Sequence, residues 1–233
     1  MREPSLSSFG WKEAITIIKS ISLTGNSLVL KGGQPLGRQD ISPLCIEKMT
    51  YEDFIDKASP NAWLMVAENL HEQALFLYNN KSDMIRHIDY RSGAKTYRYT
   101  VNRSVYLLGG FALENALKAF LVYENPSWIS NGRMSKKLKT HSLIELKKEC
   151  INVPYKLKYN WVLSAFEEGL ESWARYPCSL SVEDTFDEGV LNGDLLRKYN
   201  LLMTAYIKRL KSLLLKKWHG PHGYVSSWQF IKY

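Results

Sequence analysis

The chain has 233 residues, which is enough for one large domain or two small ones. Its hydrophobic content of 45% and aromatic content of 12% are those of a globular protein, and they exclude global disorder, which goes with few aromatic residues. A net charge of +8 favours contact with nucleic acid or with an anionic membrane surface, although basic chains are also common among soluble proteins.

The cysteines and the first residues bear on location and on metal binding. Cys45, Cys150 and Cys178 are far apart, and no Cys or Cys/His pair has the spacing of zinc ligands, so neither a metal nor a cofactor is expected. A sparse, odd number of cysteines is typical of a reducing cytoplasm. The first residues contain no apolar core of signal-peptide length, and a cytoplasmic location is predicted.

The N-terminal part, residues 1–58, is predicted to be a helix followed by an irregular connection. Apolar residues recur at helical spacing through residues 11–21. Residues 22–45 are rich in Gly and Pro, and a short apolar run within them indicates a small β element.

The next helix is predicted to begin at Ser59, a good N-cap, followed by Pro60, which is tolerated at the first helical position. It is expected to run to residues 79–80, with His71 and Glu72 facing outward. Residues 81–99 are interpreted as a polar, cation-rich link. The predicted core stripe of this helix consists of Trp63, Val66, Ala67, Leu70, Ala74 and Leu77.

The most apolar segment, residues 105–122, predicts a central helix that begins near residues 99–101 and ends before Pro126. Such a helix must be buried by protein or by lipid. Its length is borderline for a membrane span, and Glu114 and Lys118 interrupt it, so no span is predicted.

Two features of the central helix predict contacts with other parts of the protein. Gly109 and Gly110 cost helix stability and are expected where another helix passes very close. Glu114 must be paired, hydrogen-bonded or protonated if it is buried. One interpretation is an ion pair with Lys118, four residues on, at the margin of the core. The other is that Glu114 orients a catalytic or ligand-binding arginine from a neighbouring helix.

His141 follows a basic loop and is predicted to lie at a helix start, where Ser142 and Glu145 have the spacing of a capping box. It either caps and packs locally or contacts a phosphate or RNA, because helix N-termini attract anions. In the second case the contact is shared with the cations of the loop, which are Arg133, Lys136, Lys137 and Lys139.

Two further helices are predicted, over residues 156–176 and 195–218, and residues 219–233 are expected to be an irregular tail. Arg175, near the end of the first, is either a structural cap or a site residue. The basic positions of the second form either a solvated face or a surface for a nucleic-acid backbone; they are Lys208, Arg209, Lys211, Lys216 and Lys217, of which the first three are nominated as nucleic-acid contacts. Core positions predicted for the first helix are Trp161, Ala165, Phe166, Leu170 and Trp173.

These elements predict an all-α fold, an up-and-down bundle of about five or six helices with a small irregular or β N-terminal decoration. The bundle is assigned to residues 59–218, between the N-terminal part and the C-terminal tail.

Three segments resemble the HEPN (higher eukaryotes and prokaryotes nucleotide-binding) superfamily. Residues 107–119 (LLGGFALENALKA) are similar to its second-helix motif, and residues 140–146 (THSLIEL) to its next helix start. Residues 173–177 (WARYP) resemble the Arg-Tyr-Pro ending of several members. The order and spacing agree over residues 60–218.

The resemblance implies a four- or five-helix bundle, often dimeric, and in many members metal-independent RNase activity in toxin–antitoxin, abortive-infection or CRISPR-linked defence. The family site is an arginine followed after a few positions by a histidine. This chain departs from that pattern, because no His follows Arg175 closely and seven residues separate Arg133 from His141. The residues nominated for a nonstandard catalytic set are Glu114, His141 and Arg175.

The main hypothesis is a HEPN-like protein that engages RNA or a nucleotide, as a homodimer or with a cognate protein partner. One alternative is a non-catalytic interaction or regulatory subunit, and another is a metal-independent RNase with a nonstandard site. A membrane-surface protein that uses the basic last helix is a weaker third alternative.

Overall fold

A computed structural model describes residues 49–80, 84–99, 102–178, 181–182 and 193–231. Residues Lys48–Tyr233 form one compact unit. The helix predicted at residues 11–21 and the β element predicted within residues 22–45 lie outside the described residues.

Six α-helices form the described part of the chain, and the mainly α-helical bundle is confirmed. The helices are α1 (Tyr51–Lys57), α2 (Pro60–Asn79), α3 (Asn102–Glu124), α4 (Leu143–Glu149), α5 (Asn160–Glu171) and α6 (Gly193–Leu214). Two small antiparallel sheets accompany them, β1 (Met84–Ile88) with β2 (Lys95–Tyr99), and β3 (Trp218–His219) with β4 (Val225–Ser226). Short 3-10 turns span Pro126–Ile129, Lys136–Lys139 and Pro221–Gly223.

The helix α3 is the centre of the bundle, because it packs against α2, α4, α5 and α6. Its Arg103–Glu124 stretch is the one described helix that is long and apolar enough to span a membrane, yet 78% of its apolar window is buried inside the protein. That burial is the behaviour of the core helix of a soluble fold, as predicted.

The close approach predicted at the paired glycines is confirmed. A Cβ atom on Gly109 would lie 2.7 Å from Cε1 of Phe166, and one on Gly110 would lie 2.8 Å from Cγ of Leu170. Both contacts come from α5, so the glycines let the two helices pack at a distance that any larger residue would forbid.

Several helix boundaries differ from the predicted ones. The N-terminus of α2 is as predicted, since the Ser59 hydroxyl accepts a hydrogen bond from the Ala62 amide at 3.2 Å. The helix α5 begins at residue 160 and not at 156, because Tyr155 and Tyr159 take positive φ angles in the turns before it. The helix α6 ends at Leu214, before the predicted end at residue 218.

Three side-chain placements were predicted wrongly. Val66 and Trp161 are exposed, not part of the core. His71 is buried, not outward-facing, and its Nδ1 lies 2.9 Å from the hydroxyl of Tyr199 on α6. The buried side of α2 is therefore rotated from the predicted stripe toward Leu64, and a polar pair between α2 and α6 lies within the core.

The His71 pair makes stability depend on pH. Burial lowers the pKa of His71 below its ordinary value, and the nearby Glu68 opposes this only in part. The unfolded chain therefore binds a proton at a higher pH than the folded one does. Stability is expected to fall as the pH drops below about 6.5, the ordinary value for histidine.

Urea denaturation at pH 7.5 and at pH 5 measures this effect as a difference in the free energy of unfolding. His71→Gln keeps a polar partner for Tyr199 and is expected to lose less stability on acidification than the wild type. The exposed His219→Gln is the matched control. Equal losses in the wild type and in His71→Gln would contradict the assignment.

The segment interpreted as a polar link contains the β1–β2 hairpin, which the sequence analysis missed. Its six-residue turn is held by Asp89, whose carboxylate accepts hydrogen bonds from the Arg91 amide at 2.9 Å and the Ser92 hydroxyl at 2.6 Å. Gly93 completes the turn with a φ of 71°.

The C-terminal tail is partly ordered on the bundle, although it was predicted to be irregular. Val225 and Ser226 of the tail pair with Trp218 and His219 in a short antiparallel sheet, and the Tyr224 hydroxyl donates a hydrogen bond to Asp56 of α1 at 2.9 Å. Ile55 of α1 lies in the same core as the bundle helices. Both flanks of the predicted bundle therefore pack against it.

Candidate functional site

Glu114 is buried in α3 and forms the predicted ion pair with Lys118. The Nζ atom of Lys118 lies 2.6 Å from Oε1 of Glu114. The residues are only 5% and 4% exposed, so the pair is inside the core and not at its margin. Two charges removed from water in this way need close partners, because an unpaired charge in the interior is very costly.

The second partner of Glu114 is His141, and not the arginine considered as the alternative. The His141 Nδ1 lies 3.0 Å from Oε2 and 3.1 Å from Oε1 of the Glu114 carboxylate. The His141 side chain is 59% exposed, whereas its carboxylate partner is buried. The hydrogen bond therefore connects a buried carboxylate to a solvent-exposed imidazole.

The start of α4 fixes the backbone next to His141. Ser142 is the N-cap, and its hydroxyl accepts a hydrogen bond from the Glu145 amide at 3.3 Å, which is the first half of the predicted capping box. The carboxylate at this helix start is Glu167 of α5, which accepts hydrogen bonds from the Ser142 hydroxyl at 3.1 Å and the Ile144 amide at 2.9 Å. These contacts tie α5 to the residue that follows His141.

The geometry of the pair sets the roles of the two ring nitrogens. In the neutral imidazole, the tautomer that hydrogen-bonds to this carboxylate carries its proton on Nδ1 and leaves Nε2 as an acceptor. Within the described part of the chain Nε2 has no hydrogen-bond partner. A carboxylate-oriented imidazole with a free, accessible nitrogen can take a proton from a bound hydroxyl group.

Arg175, the third nominated residue, is exposed and does not contact Glu114 or His141 within the described residues. Its guanidinium carbon lies 5.9 Å from the centroid of the Phe111 ring. Phe111 precedes Glu114 by three residues on α3, so Arg175 contacts the same helix as the buried carboxylate but not the Glu114–His141 pair.

Arg103 provides the structural cap that was one interpretation of Arg175. Its guanidinium donates hydrogen bonds to the carbonyls of Trp173, at 2.7 Å, of Tyr176, and of Pro177, at 3.1 Å. Sequence reasoning missed this role, because 70 to 74 positions separate Arg103 from those carbonyls.

The basic loop before His141 holds four exposed cations: Arg133, Lys136, Lys137 and Lys139. Lys137 is partly engaged, with Nζ 5.0 Å from the Trp128 ring centroid and 3.5 Å from Oε2 of Glu149. Beside the loop lies a groove of about 380 Å³. Its polar and aromatic lining consists of two lysines, two glutamates, a threonine and a tryptophan: Lys137, Lys148, Glu145, Glu149, Thr140 and Trp128. Since Thr140 precedes His141 directly, the groove and the His141–Glu114 pair are neighbours.

The cations nominated on α6 are more engaged with the protein than those of the loop. Arg209 donates to Oδ1 of Asn152 at 3.0 Å, and Lys211 forms an ion pair of 2.5 Å with Glu68. Lys208 is exposed. The loop therefore offers the larger free cationic surface, and it is the one that leads to His141.

No group of three or more His, Cys, Asp or Glu residues in the described ranges is placed to hold a metal ion. No protein-family model, no curated protein and no solved structure matches the chain, so the HEPN resemblance rests on the sequence motifs alone.

Proposed function

We propose that this protein binds RNA and cleaves it without a metal ion, within a HEPN-like helical bundle. His141 is the general acid–base residue and Glu114 is the residue that positions it. The observation that carries the proposal is the 3.0 Å contact between His141 Nδ1 and the buried Glu114 carboxylate, with the rest of the imidazole exposed.

The proposed reaction uses the 2′-hydroxyl of the RNA itself. Nε2 of His141 takes the proton of the 2′-hydroxyl, and the 2′-oxygen forms a bond to the adjacent phosphorus. The bond from phosphorus to the 5′-oxygen breaks, and the leaving oxygen takes a proton from solvent. The products are a 2′,3′-cyclic phosphate and a 5′-hydroxyl end.

Glu114 contributes by holding the imidazole in one tautomer and by stabilising the imidazolium that forms. A carboxylate hydrogen-bonded to Nδ1 has this role in other acid–base sites. Lys118 is the second partner of this buried carboxylate, with Nζ 2.6 Å from Oε1.

The loop and the groove supply the substrate contacts. Lys136, Lys139 and Arg133 are exposed cations that can neutralise backbone phosphates, and Trp128 offers an aromatic ring for an unpaired base. Arg175, which follows α5 and lies over Phe111 of α3, is the candidate that stabilises charge on the phosphate.

The HEPN resemblance also bears on the cellular location and the biological role of the protein. It favours a cytoplasmic protein of microbial defence or a toxin–antitoxin pair, acting as a homodimer or bound to a cognate protein partner.

The test is incubation of purified protein with labelled single-stranded RNA and transfer RNA in EDTA. Fragments that carry 2′,3′-cyclic phosphates are expected, and an oligonucleotide with 2′-deoxyribose throughout is expected to stay intact. Salt-sensitive binding without cleavage would limit the function to RNA binding. Absence of both binding and cleavage would refute the proposal.

A further inference from the structure

The β1–β2 hairpin is an exposed arm whose function is not explained by the bundle. Antiparallel pairing places Arg86 opposite Tyr97 and Ile88 opposite Lys95. Every residue from Tyr90 to Tyr97 is exposed, and the Tyr90 side chain at the turn is 91% exposed. An isolated two-stranded hairpin is only marginally stable in water, and this one exposes two large aromatic side chains, Tyr90 and Tyr97. Exposed aromatic groups on such an arm indicate a surface that binds a partner molecule.

The net positive charge of the β1–β2 hairpin indicates an anionic partner. Residues 84–99 contain four cations (Arg86, Arg91, Lys95 and Arg98) and a single anion, Asp89. Asp89 is already engaged by the turn, where it accepts from Arg91 and Ser92. Residues 1–47 of the same chain have no net negative charge, since they contain five cations and four anions.

We propose that the β1–β2 hairpin is a binding site for single-stranded nucleic acid. Residues that face each other across an antiparallel pair lie on the same side of the sheet, so Arg86 and Tyr97 are cross-strand neighbours on one side of the arm. Bases stack on Tyr97 and Tyr90, while Arg86, Arg91 and Lys95 neutralise phosphates. The site is independent of the Glu114–His141 chemistry.

The test measures the fluorescence anisotropy of a labelled 2′-O-methyl oligouridylate, which lacks the nucleophilic hydroxyl and therefore reports binding alone. Tyr97→Ala is expected to weaken binding about tenfold or more, and Tyr97→Phe to bind like the wild type. The double variant Arg86→Gln/Lys95→Gln is expected to lower the slope of log K against log salt concentration by about 1.4.

The matched control is Lys57→Gln/Arg197→Gln, which removes the same charge from exposed positions elsewhere and is expected to bind nearly normally. Circular dichroism checks that each variant is folded. The 2′-O-methyl probe cannot be cleaved, so the measured affinity separates this site from the proposed RNase activity. Unchanged affinity in the hairpin variants, equal losses in the control, or a change in oligomeric mass in place of affinity would overturn the proposal.

Discussion

Replacement of His141 by glutamine is expected to lower the rate of RNA cleavage by about 10²- to 10⁴-fold, which is the usual contribution of a general acid–base group. Glutamine still donates a hydrogen bond to Glu114, but it cannot take the proton of the 2′-hydroxyl. The His141 side chain is 59% exposed, so the substitution leaves the packing of the bundle largely intact. Single-turnover cleavage of a labelled RNA in EDTA measures the loss.

The matched control for this variant is His219→Gln, an exposed histidine of β3, which is expected to cleave at the wild-type rate. Both proteins are purified in the same way, because a contaminating nuclease would give the same activity in each. Wild-type cleavage by His141→Gln would remove His141 from the reaction.

Glu114 has a separate signature as a positioning residue. Glu114→Gln keeps a hydrogen-bond acceptor for Nδ1 but removes the carboxylate that stabilises the imidazolium formed in the reaction, so kcat is expected to fall while KM stays near its wild-type value. The variant also leaves the Lys118 ammonium buried without its anion, so each rate is referred to the folded fraction measured by circular dichroism. A purely structural role would lower the amount of folded protein and leave kcat of the folded fraction unchanged.

The central helix and its pairs could be predicted because their signals are local. An apolar segment interrupted by Glu114 and Lys118 indicates a buried ion pair at one-turn spacing, and Gly109-Gly110 indicates a close helix contact. His141 could be nominated because a helix start follows it. The contact between His141 and Glu114, across 27 positions, depends on how the helices pack, and no local pattern gives that.

The missed features depend on distant partners or on weak local patterns. His71 can be buried because its ring nitrogen forms a hydrogen bond with the hydroxyl of Tyr199, which is 128 positions away in the sequence. The hairpin was missed because both of its faces mix apolar and charged residues, so the alternation typical of a half-buried strand is absent. The Ser92-Gly93 pair was the one local turn signal.

Replacement of Lys118 by methionine is expected to destabilise the protein by about 3–5 kcal/mol, the cost of removing one partner of a buried ion pair. Methionine fills a similar volume, but the Glu114 carboxylate, which is 6% exposed, then keeps only His141 as a partner. Chemical denaturation monitored by tryptophan fluorescence measures the change in the free energy of unfolding.

The chain contains a matched control in the Lys137–Glu149 pair, whose side chains are 62% and 57% exposed and whose atoms are 3.5 Å apart. Lys137→Met is expected to cost less than about 1 kcal/mol, because solvent screens an exposed pair. The double variant Glu114→Leu/Lys118→Met removes both buried charges together and is expected to recover much of the stability lost in Lys118→Met. This double variant is also expected to have no RNA cleavage activity, because His141 loses the carboxylate that positions it. Equal costs for Lys118→Met and Lys137→Met would mean that the Glu114–Lys118 pair is not buried in solution, and the basis for a fixed His141 would fail with it.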